Sequence, residues 1–236
     1  MPRRPRFIIE NQPHHVVQRG HNRKAVFFRE DDYLYYLECL ETAAQRCGCQ
    51  LHAWCLMTNH IHLLVTPSTK QALSSMMQMI GRLYVRYINK RKNRSGALWE
   101  DRFKVSLVDA DDYLLSCMRY IELNPVRARM VRASANYKWS SYATNAKGML
   151  GFIKPHALYR LLGPTVEKRR EAYEDLFNRT ISQDDLDLIR QSIQGSWVLG
   201  NDNFRSRMER KTKLSAQPKA RGGDRRSEKF LKKSFK

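Results

Sequence analysis

Two imidazoles one residue apart, His60 and His62, are the sharpest chemical signal in this sequence. On a β-strand side chains alternate, so both rings leave one face about 7 Å apart at the backbone, while Ile61 and Leu63 face the other way. Two neutral imidazoles converging there can ligate a divalent cation. Taken alone, a His-x-His pair more often marks two half-exposed hairpin histidines, with His52 one strand over as a structural neighbour. The second signal is Tyr120, set in Arg119-Tyr-Ile-Glu-Leu-Asn124-Pro125-Val-Arg127-Ala-Arg129. A tyrosine on an apolar helix is usually core. Here Asn124 follows four residues later, on the same helical face, so phenol and amide can point at a common ion. The arginines around them suit the phosphates of a bound strand.

These residues need elements to hold them. Residues 14–19 read as a first strand closed by Gly20, and residues 30–46 as a helix with Tyr33, Leu34, Leu37, Leu40 and Ala44 at three- and four-residue steps. Glu30, Asp31 and Asp32 lie in its first turn, where the helix dipole favours acids. Residues 50–56 and 60–66 form a hairpin about Met57-Thr-Asn59. A second helix covers 71–92, a fourth strand 103–108, and a third helix opens at Asp111-Asp112 and runs through Ile121 towards Pro125, which stops it or starts a new turn. The first six elements are those of an α+β, ferredoxin-like split βαβ sandwich, an antiparallel sheet with helices on one face.

The expected organisation is a catalytic domain over 1–147, a helical extension over 148–204 and a basic tail over 205–236, disordered until it meets a polyanion. That tail holds 13 Lys and Arg against three acids, half of the chain's formal net charge of +20. Such an excess suits nucleic acid, because each neutralised phosphate releases condensed counterions. Five cysteines without a CxxC pair argue against zinc and for reduced thiols. The basic start lacks a following apolar run, and no window approaches the roughly 20 apolar residues of a membrane helix. A soluble, cytoplasmic protein without a membrane partner is expected.

Several segments together resemble the HUH-type single-tyrosine transposases, in particular their REP-associated branch. They are residues 14–20 (HHVVQRG), 51–65 (LHAWCLMTNHIHLLV), 95–104 (SGALWEDRFK) and 119–128 (RYIELNPVRA), with Trp139-Ser-Ser141 as a further feature. The resemblance spans about residues 10–145 in the expected order. It implies a transposase that cleaves single-stranded DNA and transfers strands. His60 and His62 would hold Mg²⁺ or Mn²⁺, Tyr120 would be the nucleophile that forms a 5′-phosphotyrosine, and Asn124 would complete the metal site. The implied substrate is a palindromic extragenic repeat, a hairpin beside a short single-stranded guide, and a monomer acting in cis is favoured over a dimer.

Single-stranded substrate also makes physical sense, since an unpaired strand bends into a groove and stacks on aromatics. Candidate DNA contacts are Arg19, Arg23, Lys24, Arg82, Arg86, Trp99, Arg102, Lys104 and Arg127. For each, a solvated surface charge or, for Trp99, a core anchor is an equal alternative. Two other functions compete. A domesticated hairpin-DNA binder without transposition would not need His60, His62 and Tyr120 intact, and an RNA reader would show an aromatic-rich strand that is missing here.

Overall fold

The computed structural model describes residues 5–218. The alternating segments become strands β1 (His14–Arg19), β2 (Cys49–Met57), β3 (His60–Pro67) and β4 (Lys104–Leu107). Three long helices lie between and after them: α1 (Glu30–Cys47), α2 (Ala72–Arg91) and α3 (Ala110–Glu122). Short helices α4 (Asn124–Arg127), α5 (Tyr142–Lys147) and α6 (Ala157–Arg160) follow, then α7 (Val166–Asp175), α8 (Gln183–Gly195) and α9 (Asp202–Thr212). The strands form one sheet in the order β2-β3-β1-β4, antiparallel at every pairing. With α1 and α2 as crossovers this is the ferredoxin-like arrangement.

Strand alternation divides the sheet into two unlike faces. Val16, Leu51, Leu56, Ile61, Leu63, Val65 and Val105 pack against α1 and α2 through Tyr36, Leu40, Met76, Ile80 and Tyr84. Asp32, fully buried, joins the two helices: its carboxylate accepts from the backbone of Phe28 and Arg29 and from Arg91 Nη2 at 2.7 Å. The other face is not open, as a helices-on-one-face sandwich would leave it. The stripe Leu114, Cys117, Met118, Ile121 on α3 has helical spacing and covers Ala53, Cys55, Met57 and Leu64.

The chain after α3 then returns to the sheet. Leu56 donates to the carbonyl of Trp139, and Ser140 bridges Cys55, so the Trp139-Ser140-Ser141 segment lies along β2. Order also persists where a disordered tail was expected from residue 205. Phe204 and Met208 of α9, with Ala216, pack on Phe7, Ile9, Leu107 and Val198. A few apolar side chains at helical spacing are enough to dock this basic stretch, and the remainder of the expected tail, 219–236, lies outside the described residues. All five cysteines are free thiols. Among the described residues no helix is long and apolar enough to cross a membrane.

Candidate active site

On β3, His60 and His62 emerge on the α3 side of the sheet, opposite Arg19 and Val17 of β1. The β2–β3 turn that presents them is clamped from below, as Gly20 donates to the carbonyl of Asn59. A Cβ on Gly20 would lie 2.3 Å from the Lys24 carbonyl oxygen and 2.7 Å from Val26, so only glycine fits this close approach. His60 uses Nδ1 towards Asn59 Oδ1 at 2.6 Å, and His62 uses Nδ1 towards His15 Nε2 at 2.9 Å. The ring centroids of His60 and His62 are 5.0 Å apart. Among the described residues, neither ring has a hydrogen-bond partner at Nε2.

Burial holds these rings neutral. It lowers the His60 pKa to about 4, with Arg19 adding to the effect, and lowers that of His15 to about 3, with Arg127 adding. His62 is pushed well below the ordinary value by burial, then by His15, His60, Arg127 and Arg19. An imidazole without its second proton is a ligand rather than a cation.

Tyr120 lies on α3 above this pair. Its ring meets His15 at 5.7 Å and His62 at 6.0 Å between centroids, edge-on in both cases. The Arg127 guanidinium sits 4.0 Å from the Tyr120 ring centroid and donates to the Tyr120 carbonyl at 2.8 Å. Pro125 resolves the ambiguity at the end of α3 by starting a separate turn, α4, rather than continuing the helix. Asn124 remains beside Tyr120 all the same. Its Nδ2 is committed to the carbonyls of Tyr120 (3.1 Å) and Ile121 (3.3 Å), so Oδ1 is the atom it has to offer.

Two residues beyond Tyr120, the Glu122 carboxylate is wholly buried. Ser141 Oγ and Asn145 Nδ2 donate to Oε1, and Tyr173 donates to Oε2 at 2.9 Å. Desolvation raises its pKa to about 7 in spite of these three donors.

His60, His62, Tyr120 and Asn124 line one cavity of about 710 Å³. Arg19, Arg23, Arg102 and Lys104 line it too. The other five candidates fall elsewhere. Trp99 is a core residue, its ring among Tyr36 and Tyr84. Arg82 and Arg86 are exposed on α2, across the sheet from the cavity. Lys24 is exposed and does not line the cavity. Arg127 is half-buried and packed on the Tyr120 ring. His52 is structural, bonding Thr66 Oγ1 and the Lys154 carbonyl at the irregularity in β2.

Two contributions escape sequence reasoning. One is His15, which only the diagonal across the β1–β3 pairing brings to His62. The other is α8, which supplies Arg190, Ile193 and Gln194 to the cavity wall, with Lys104 Nζ bonded to the Gln194 carbonyl at 3.2 Å.

The donor set of two imidazole nitrogens and one amide oxygen fits a divalent cation with open positions for oxygen ligands. It is not a closed structural site: among the described residues no three His, Cys, Asp or Glu side chains cluster to hold a metal.

Comparison with known proteins agrees with this architecture. No curated protein sequence matches the chain. Among solved structures, a REP-associated tyrosine transposase bound to a REP hairpin superposes with a TM-score of 0.54 at 16% identity, over 66% of this chain and 96% of that one. A putative transposase from Deinococcus radiodurans matches at 18% identity and a TM-score of 0.36, over 55% and 92% of the two chains. A bacterial tRNA(His) guanylyltransferase-like protein in complex with GTP matches at 16% identity and 0.37, over 57% and 71%. Residues 9–124, from just before β1 to Asn124, match the sequence profile of the IS200-like transposases, and this part of the chain belongs to that family.

Proposed function

We propose that this protein cleaves and rejoins single-stranded DNA beside hairpin-forming repeats, through a transient covalent link to Tyr120. One observation carries the reading: Tyr120, His60, His62 and Asn124, from two separated segments, line the same cavity, whose wall has more basic side chains (Arg19, Arg23, Arg102, Lys104, Arg190) than acidic ones (Glu100, Asp101). The family is one of transposases, and the relative bound to a REP hairpin supports hairpin DNA as the partner.

The Tyr120 oxygen attacks the scissile phosphorus in line. A phosphorus–oxygen bond to it forms, the bond to the 3′ oxygen breaks, and the phenol's proton ends on the released 3′-hydroxyl. Reversal by another 3′-hydroxyl rejoins strands, because the phosphotyrosine conserves the energy of the broken bond. Arg127, against the Tyr120 ring, is placed to balance negative charge as the phenol loses its proton. His60 and His62 through Nε2, with Asn124 Oδ1, would hold Mg²⁺ or Mn²⁺. Such an ion supplies Lewis-acid stabilisation of the charge developing on the phosphate.

Arg19, Arg23, Arg102 and Lys104 hold the phosphates on either side. Arg102 and Lys104 also line a second cavity of about 590 Å³, reached past β4 and walled by Arg6, Trp197 and Lys213. The two together form a basic path for the unpaired flank.

The test incubates labelled hairpin DNA carrying single-stranded flanks with protein and Mn²⁺, followed by denaturing electrophoresis. A detergent-resistant adduct is expected from the parent and none from Tyr120→Phe, with hairpin affinity unchanged between them. Binding without any adduct in the parent would reduce the protein to a hairpin binder.

A further inference from the structure

We infer that His15 is a positioning residue that fixes His62 as its Nδ1–H tautomer, leaving Nε2 bare towards the cavity for a divalent cation. The inference rests on reading His60 and His62 as the cation site. It deepens that reading by assigning a role to a residue that does not itself line the cavity.

The geometry is specific. His15 belongs to β1, where its register partner is Leu64, so it reaches His62 diagonally across the strand pair. Its Nε2 lies 2.9 Å from His62 Nδ1 and the two rings stack at 5.1 Å. Both are buried, His15 fully and His62 to 5% exposure. Only one proton occupies the space between the two nitrogens. If His15 contributes it, His62 must carry its own proton on Nε2, and that nitrogen has no lone pair to give. If His62 contributes it, Nε2 is bare and ligation costs no proton.

His60 shows how the same problem is solved beside it. Asn59 Oδ1 lies 2.6 Å from His60 Nδ1, a carbonyl oxygen that only accepts, so His60 is held as Nδ1–H with Nε2 bare. His15 is the corresponding acceptor for His62. This role has a cost. With Nε2 accepting, His15 carries its proton on Nδ1, and that atom is buried with no partner among the described residues. An orphaned buried donor is destabilising, and a histidine kept only for packing would not need one. His15 also meets the Tyr120 ring edge-on, so one side chain locates both the ligand and the phenol.

The experiment uses the full chain, with histidines labelled by ¹⁵N, and reads tautomers from two-bond nitrogen–proton correlations. His62 is expected as Nδ1–H in the parent. In His15→Phe it should become a mixture or the Nε2–H form. His15→Gln, whose side-chain oxygen can accept near the position of Nε2, should restore Nδ1–H. Mn²⁺ affinity measured by water-proton relaxation should fall about ten- to a hundredfold in His15→Phe and recover in His15→Gln. Hairpin binding in chelator should not change.

His62 found as Nε2–H in the parent, or equal Mn²⁺ affinity in parent and His15→Phe, would overturn the inference. If His15→Phe does not fold, the parent tautomer and the His15→Gln affinity still decide it: a Gln variant tenfold or more weaker overturns the role. Mn²⁺ binding indifferent to His62→Ala would instead sink the cation site itself, and the inference with it.

Discussion

The two faces of the sheet use the same strands for opposite ends. On the α1–α2 side, Ile61, Leu63 and Val65 meet a dry layer of aliphatic and aromatic residues. On the α3 side, the intervening residues of β3 are His60, His62 and Leu64; Tyr120 lies over them with Arg127 on its ring, and Glu122 is held nearby above β2. One residue of register separates packing from chemistry, so a single-residue slip of β3 would bury the imidazoles in the apolar layer and turn Ile61 and Leu63 to the cavity. The dry face is what makes that slip expensive. The reactive face can then tolerate buried polar groups, because the opposite face holds the strand in place.

Perturbing each face should therefore give different signatures. The largest effect is expected from Leu63→Ala, which opens a cavity in the dry layer. It should lower unfolding free energy by about 2–5 kcal/mol in urea melts, with DNA binding and adduct formation falling together as the fold is lost. By contrast, Tyr120→Phe should remove the adduct at nearly parental stability. A Leu63→Ala variant of parental stability that had lost only the chemistry would mean that the faces are not separable.

Next comes Glu122→Gln, a test of the polar layer. In the folded chain the carboxyl titrates near pH 7 rather than 4.5, so between those values the folded state binds more protons than the unfolded one. Stability must then decline as pH rises through that window, by roughly 3 kcal/mol at most. Glu122→Gln should lose this decline even if it is less stable throughout. Melts at pH 5 and pH 8 that change equally in parent and variant would contradict the assignment.

The smallest effect is expected from Lys104→Ala on the cavity rim. Binding of single-stranded flank should weaken mainly at low salt, with the slope of log affinity against log salt reduced by about 0.7. An unchanged slope would remove Lys104 from the DNA path.

The gathering of His60, His62, Tyr120 and Asn124 at one cavity was legible because its signals are local. His-x-His needs only strand alternation, and Tyr120 with Asn124 needs only helical spacing, so both survive without tertiary information. The element order and the sheet followed from the same two periods. His15 was not legible, since its meaning depends on which strand lies beside β3 and at what diagonal. Arg127 was visible as a cation near Tyr120 but not as its ring partner, because a new turn at Pro125 decides where it points. Trp99 and Arg102 sit three residues apart in one basic, aromatic stretch, yet one is core and the other cavity wall. Charge and aromaticity alone do not distinguish them. The wall supplied by α8 comes from some seventy residues beyond Tyr120, where weak hydrophobic patterning carries no hint of a destination. The order in α9 was missed for a related reason: a high density of charge masks the few apolar residues that dock it.

The carboxylate of Glu122 has one more consequence, for how finely Tyr120 is placed. A helix resting on a sheet by an apolar stripe alone can shift by fractions of an ångström at little cost, because aliphatic contacts have no direction. A side chain received by Ser141, Asn145 and Tyr173 has only one seat. It works as an indexing pin, so α3 either sits with the phenol over His15 and His62 or must withdraw the pin and move by about a turn, roughly 5.4 Å. Wear in the surrounding packing would loosen the molecule without blurring the aim of Tyr120.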